Sequence, residues 1–104
     1  MIESQRIAIV QEILESGNRA AWRAIGCGAR ATALRKARGI TAAEMARRLG
    51  IRRPNYTRFE HDRHETYVST IQRVADAIGC RLTDLLGITF PTDEITIVAQ
   101  ESAG

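Results

Sequence analysis

Residues 45–60 read MARRLGIRRPNYTRFE, and no other stretch restricts the fold so tightly. Gly50 falls between two Arg pairs, and Pro54 stands inside what otherwise reads as helix. A proline is tolerated in the first turn of a helix, because the amide it lacks would have had no intrahelical partner there. The stretch is therefore two short helices, one ended by Gly50 and one restarted near Pro54. Helices joined by so short a turn cross steeply. The first then needs a small residue where the second approaches, the turn needs glycine, and the inward positions need bulk. Ala46, Gly50 and the apolar set Met45, Leu49, Ile51, Tyr56 and Phe59 meet those demands in order.

The flanking sequence extends the same grammar. Residues 29–38 are rich in Ala and Arg, good helix formers, and Gly39 sits where a left-handed cap belongs. Thr41 with Glu44 is a capping box, in which hydroxyl and carboxylate each satisfy an orphaned amide. It starts a helix over residues 42–49, followed by a second over 54–60 and a polar loop over 61–66. Val68, Ile71, Val74, Ala75 and Ile78 mark a helix over 67–78 that Gly79 closes, and residues 82–86 form a last short one. Upstream, Ile2, Ile7, Val10, Ile13 and Leu14 have near-helical spacing before the Ser16-Gly17-Asn18 stop. A second apolar set around Trp22 and Ile25 runs to the Gly26-Cys27-Gly28 break. Downstream, residues 89–92 read as a linker, and residues 94–98 are β-branched, which predicts a strand.

With 104 residues, 44% of them apolar, the chain is one domain's worth. Its net charge of +3 hides an asymmetry. Residues 30–63 hold ten bases against three acids, a local +7, whereas the rest of the chain is acidic. A basic block inside a folded region points to a polyanion, although a solvated charged face is the commoner cause. The first residues do not resemble a signal peptide, and no run approaches the ~18 to 20 apolar residues of a membrane span. Cys27 and Cys80 form neither a CxxC pair nor a disulfide framework, so a cytoplasmic setting is expected and no membrane partner.

Residues 42–49 and 54–60 make a helix-turn-helix. The pieces Leu34-Arg35, Gly39-Ile40-Thr41, Glu44-Met45-Ala46, Leu49-Gly50-Ile51, Arg58-Phe59-Glu60 and Ala75-Asp76-Ala77-Ile78-Gly79 carry a specific resemblance. Over residues 28–87 the chain resembles the Cro/C1-type (XRE-type) helix-turn-helix family of bacterial and phage transcriptional regulators. Ala42, Arg52, Tyr56 and His61-Asp62 depart from that pattern. They stand where the family usually has a glutamine, a Ser or Thr cap, an Ile or Val, and an Asn-Gly turn.

The resemblance implies an all-α fold: a five-helix repressor-like helix-turn-helix domain over residues 28–87. Residues 1–27 are an N-terminal helical extension, and 88–104 a linker and short C-terminal β-strand. It also implies that Arg53, Pro54, Asn55 and Thr57 lie on the face that reads bases in double-stranded DNA. An Arg can grip guanine, and an Asn adenine, in a two-pronged way. Arg47, Arg48, Arg52, Arg58 and Arg63 are expected at phosphates. Ala31 stands where the family usually has a larger aliphatic, so Trp22 or Ile25 is expected to fill the space and make the extension part of the core.

A lone strand needs a partner, which predicts a homodimer paired through Ile95, Ile97 and Val98. His61, His64 and the two cysteines lack the paired spacing of a zinc site, so no metal is expected. No nucleophile with a base, phosphate-binding glycine loop or carboxylate pair is evident, so neither an enzyme nor a cofactor is expected. Two functions remain: a homodimeric repressor on a palindromic operator, or an antitoxin whose extensions bind a toxin while it autoregulates its operon.

Overall fold

The computed structural model describes residues 3–61 and 67–93. Within them the chain is all helical, without strand: α1 (Glu3–Ser16), α2 (Arg19–Ala24), α3 (Cys27–Ala37), α4 (Ala42–Leu49), α5 (Arg53–His61), α6 (Val68–Ile78) and α7 (Leu82–Leu85). The strand expected over 94–98, and with it Ile95, Ile97 and Val98, lies outside the described residues.

Local chemistry sets the breaks. Gly50 ends α4 in the left-handed region (φ 68°, ψ 31°), where an L side chain would be strained. The amides of Gly50 and Ile51 turn back to the carbonyls of Arg47 and Ala46 at 3.2 and 3.0 Å. α5 begins at Arg53, one residue earlier than its proline suggests, and runs on through His61. The Arg52 carbonyl accepts from Asn55 and Tyr56 at 3.0 and 3.2 Å, so the amide that Pro54 lacks leaves nothing unmet. The capping box at Thr41 is only half made. The Thr41 hydroxyl accepts from the Glu44 amide at 3.0 Å, but the Glu44 carboxylate turns to Arg47 and Arg48 instead.

Helix α3 is the hub. α1, α5, α6 and α7 all pack on it, while α4 packs on α5 and α6. Its Ala31, Ala33 and Leu34 join Met45, Ala46, Tyr56, Ile71, Val74, Ile78 and Leu85 in one apolar core. α1 adds Val10, and α2 adds Trp22, which is 1% exposed and lies in the same core as Ala31. The Trp22 indole donates to the Asp84 carbonyl at 3.1 Å. The buried Arg30 guanidinium donates to the carbonyls of Leu85 at 2.6 Å, Trp22 at 3.1 Å and Ile25, clasping α2 and α7 to α3.

The stretch read from sequence as a linker is packed as well. Phe90 is buried with its ring edge-on to Trp22 at 5.6 Å, and the Arg19 guanidinium lies over the Phe90 ring, 5.5 Å from its centroid. Asp93 accepts from the Phe90 amide at 2.9 Å and pairs with Arg19. The Arg19 hydrogen bond, then that of the Phe90 amide, holds the Asp93 carboxyl at about 2, below the usual carboxylate range.

A buried ion pair orients α5. The Arg35 guanidinium grips Glu60 in a fork, Nε to Oε2 at 2.7 Å and Nη2 to Oε1 at 3.0 Å, with side chains only 8% and 3% exposed. Arg35 also donates to the Ile40 carbonyl at 3.0 Å, and Arg6 of α1 to the Glu60 carbonyl at 2.7 Å. Gly28 lets the helices meet, since a Cβ there would lie 2.4 Å from the Glu60 carbonyl oxygen.

Two outcomes follow from this packing. Trp22→Ala should cost ~3 to 5 kcal/mol, read as a lower urea midpoint at unchanged slope. Glu60→Gln strands a buried guanidinium and should cost ~3 to 5 kcal/mol. Pairing Glu60→Leu with Arg35→Met should recover much of that loss in the same urea titrations.

Candidate nucleic-acid interface

The inward stripe of α5 is Tyr56 and Glu60, four residues apart, and both are buried. Its outward surface carries Arg53, Pro54, Asn55 and Arg58, all exposed, with Thr57 half-buried. Arg53 and Thr57 share a face by the same four-residue spacing. With His61 they line one side of a groove whose other side is Lys36, Thr41 and Ala42. His61 is bound to its own helix, Nδ1 lying 2.8 Å from the Thr57 carbonyl.

The base-reading candidates therefore divide. Arg53 and Thr57 come together on the groove with Pro54 beside them. Asn55 lines a shallow apolar cleft on the other flank, with Leu49, Ile51, Phe59 and Val74. Ile51, read from sequence as an inward residue, is 37% exposed on that cleft. Phe59 is half-buried and stacked on Tyr56 at 6.0 Å. The Tyr56 hydroxyl is buried beside the Arg35–Glu60 pair, and burial followed by the Glu60 charge pushes its ionisation far above the ordinary range. It stays neutral.

The arginines expected at phosphates also differ among themselves. Arg52 and Arg58 are exposed, and their guanidinium groups have no hydrogen-bond or ion-pair partner among the described residues. Arg47 is held by Glu44, with Nε at 3.0 Å from Oε1. Arg48 is held twice, by Glu44 at 3.0 Å and by the Ala77 carbonyl at 2.8 Å. These hydrogen bonds, Arg47 first and then Arg48, lower the Glu44 ionisation. Arg63 and His64 lie outside the described residues.

Not every base in the 30–63 block is available to a polyanion. Arg30 and Arg35 are buried, and Arg38 donates to the Ile78 carbonyl at 2.9 Å and to that of Gly79, at the end of α6. Glu60, one of the three acids of the block, is the buried partner of Arg35. Its position four residues after Tyr56 was the available signal. Lys36 was passed over in the same block, yet it is exposed on the groove.

Among the described residues no group of three or more His, Cys, Asp or Glu could hold a metal ion. Cys27 and Cys80 are free thiols whose ionisation burial pushes up, that of Cys80 to about 11. No described helix is long and apolar enough to cross a membrane.

Comparison with known proteins agrees with the two-helix geometry. The family model for the Cro/C1-type HTH DNA-binding domain matches residues 32–91. The immunity repressor protein of Bacillus phage phi105 is 30% identical over 76 residues, covering 73% of this chain and 49% of the phage protein. The chain thus spans about half the length of that curated relative. No solved structure matches it. With α4 and α5 as the paired helices and the family model spanning more than half of its length, the chain belongs to the Cro/C1-type helix-turn-helix DNA-binding family.

Proposed function

We propose that the protein is a sequence-specific transcriptional repressor that acts as a homodimer on a palindromic operator. The observation that carries this reading is the outward face of α5, where Arg53 and Thr57 stand exposed or half-exposed on a groove while Arg35 and Glu60 fix the helix from behind. Arg53 reads bases first, followed by Thr57 and Pro54, with Asn55 at the edge of the reading face. Arg52, Arg58 and Arg63 contact phosphates and set register. Arg47 and Arg48 contribute through the field of the Glu44 cluster as much as by direct contact. The name of the phage relative supports repression as the outcome.

Two copies would place their α5 helices about one DNA turn apart, ~34 Å, so the operator repeats with twofold symmetry. Pairing through Ile95, Ile97 and Val98 would supply the twofold axis. Such a regulator works in the cytoplasm of a bacterium, on chromosomal or phage DNA. The extension is packed beneath Asp84 and Phe90, which gives it a structural task. That favours the repressor over an antitoxin whose extension is reserved for a toxin.

Selection of binding sites from random DNA tests the base-reading assignment. Arg53→Ala should lose ~1 to 3 kcal/mol at the selected site and relax base preference at one position. Arg47→Ala should weaken all sequences alike. An unchanged motif from Arg53→Ala would remove Arg53 from its role. For the dimer, the informative truncation ends at Asp93, because Phe90 belongs to the core. The shortened chain should sediment as a folded monomer and bind the operator much more weakly. Persistence of a dimer with unchanged affinity would place the dimer contact elsewhere.

A further inference from the structure

The end of α3 sends its cations in three directions. Arg35 turns inward to Glu60, and Arg38 turns to the carbonyls that end α6. Lys36 is left on the groove, exposed, its ammonium without a hydrogen-bond or ion-pair partner among the described residues. Among the described residues the groove's one carboxylate, Glu60, is already neutralised by Arg35. Lys36 and Arg53 therefore face each other across a concavity whose positive charge no other described residue compensates.

The opposite wall adds to this. The Thr41 hydroxyl caps only the Glu44 amide, and the Glu44 carboxylate is occupied by Arg47 and Arg48. Ala42, with a bare methyl, leaves the start of α4 open to the groove. An anion seated between Lys36 and Arg53 would meet backbone donors there, in the favourable end of the helix field.

We infer that Lys36 binds a phosphate of the DNA backbone on the flank of the site that α5 reads. This rests on the reading of the protein as a DNA-binding regulator. The phosphate belongs to duplex DNA because the same groove carries Arg53 and Thr57, so a strand held at Lys36 runs beside the bases that α5 meets. Lys36 is suited to this as a mobile point charge. It sets affinity and register without discriminating sequence.

Salt titration of binding tests the inference, using the duplex that the wild-type protein selects from random DNA and an unrelated duplex. Each neutralised phosphate contributes roughly −0.9 to the slope of log affinity against log salt. Lys36→Ala should make the slope shallower by about 0.9, weaken both duplexes by the same factor, and leave the selected motif and the melting temperature unchanged. Lys36→Arg should retain the wild-type slope. Ethylation of one backbone phosphate should inhibit the wild type and lose its effect on Lys36→Ala. A Lys36→Ala slope equal to wild type, alongside a weakened Arg53→Ala, would overturn the Lys36 contact and leave the regulator intact. Failure of the wild type to bind any duplex at low salt would overturn both.

Discussion

A forked ion pair between two helices, Arg35 to Glu60, fixes what the outer surface can do. A helix that reads DNA is useful only if its roll and pitch are fixed before DNA arrives, since a rotation of a fraction of a turn would carry Arg53 off the groove. Apolar contacts alone resist such rotation weakly because they have little directionality. Two parallel hydrogen bonds between planar groups resist it strongly. Burying that pair has a desolvation cost, and it is tolerable because the donors of Arg35 also reach Ile40 and the Glu60 carbonyl receives Arg6. Gly28 completes the arrangement by bringing α3 within backbone contact of α5.

What could be read from the sequence was mostly local. Gly50, Pro54 and Thr41 act within a few residues of themselves, so the paired helices and the turn between them emerged to within one residue at α5. The small residue Ala31 pointed correctly to a bulky neighbour from the extension. Non-local pairings escaped. Counting charge in residues 30–63 treated Arg30, Arg35 and Arg38 like Lys36, because a guanidinium announces its charge but not whether a carbonyl or carboxylate awaits it. Phe90 was hidden behind Pro91 and the threonines, which read as a linker. Its partner, Trp22, lies far away in the chain. Asn55 lies on the other flank of α5 from Arg53, because it is two residues from Arg53, and that spacing faces around a helix instead of along it.

The apolar cleft beside Asn55 and the basic groove beside Arg53 give the two flanks of α5 different characters. On the groove flank the surroundings favour an anion, with Lys36 and the start of α4 at hand. On the other flank Ile51 and Phe59 offer apolar surface suited to a thymine methyl or to the sugar edge. One helix therefore borders two kinds of chemistry.

Trp22 lies 62 residues before the Asp84 carbonyl that receives its indole hydrogen. On a ribosome, α1 and α2 emerge early and then wait, since the residues that cover Trp22 are among the last of the described chain to be made. Until then the indole lacks its acceptor, and the Arg30 Nε lacks the Leu85 carbonyl. Contacts so distant in sequence slow folding, because the loop between them must close before they give anything back. The helix pair α4 and α5, by contrast, is built from neighbours and can form first. The last contacts to form are therefore those that bring Asp84 and Phe90 back over Trp22.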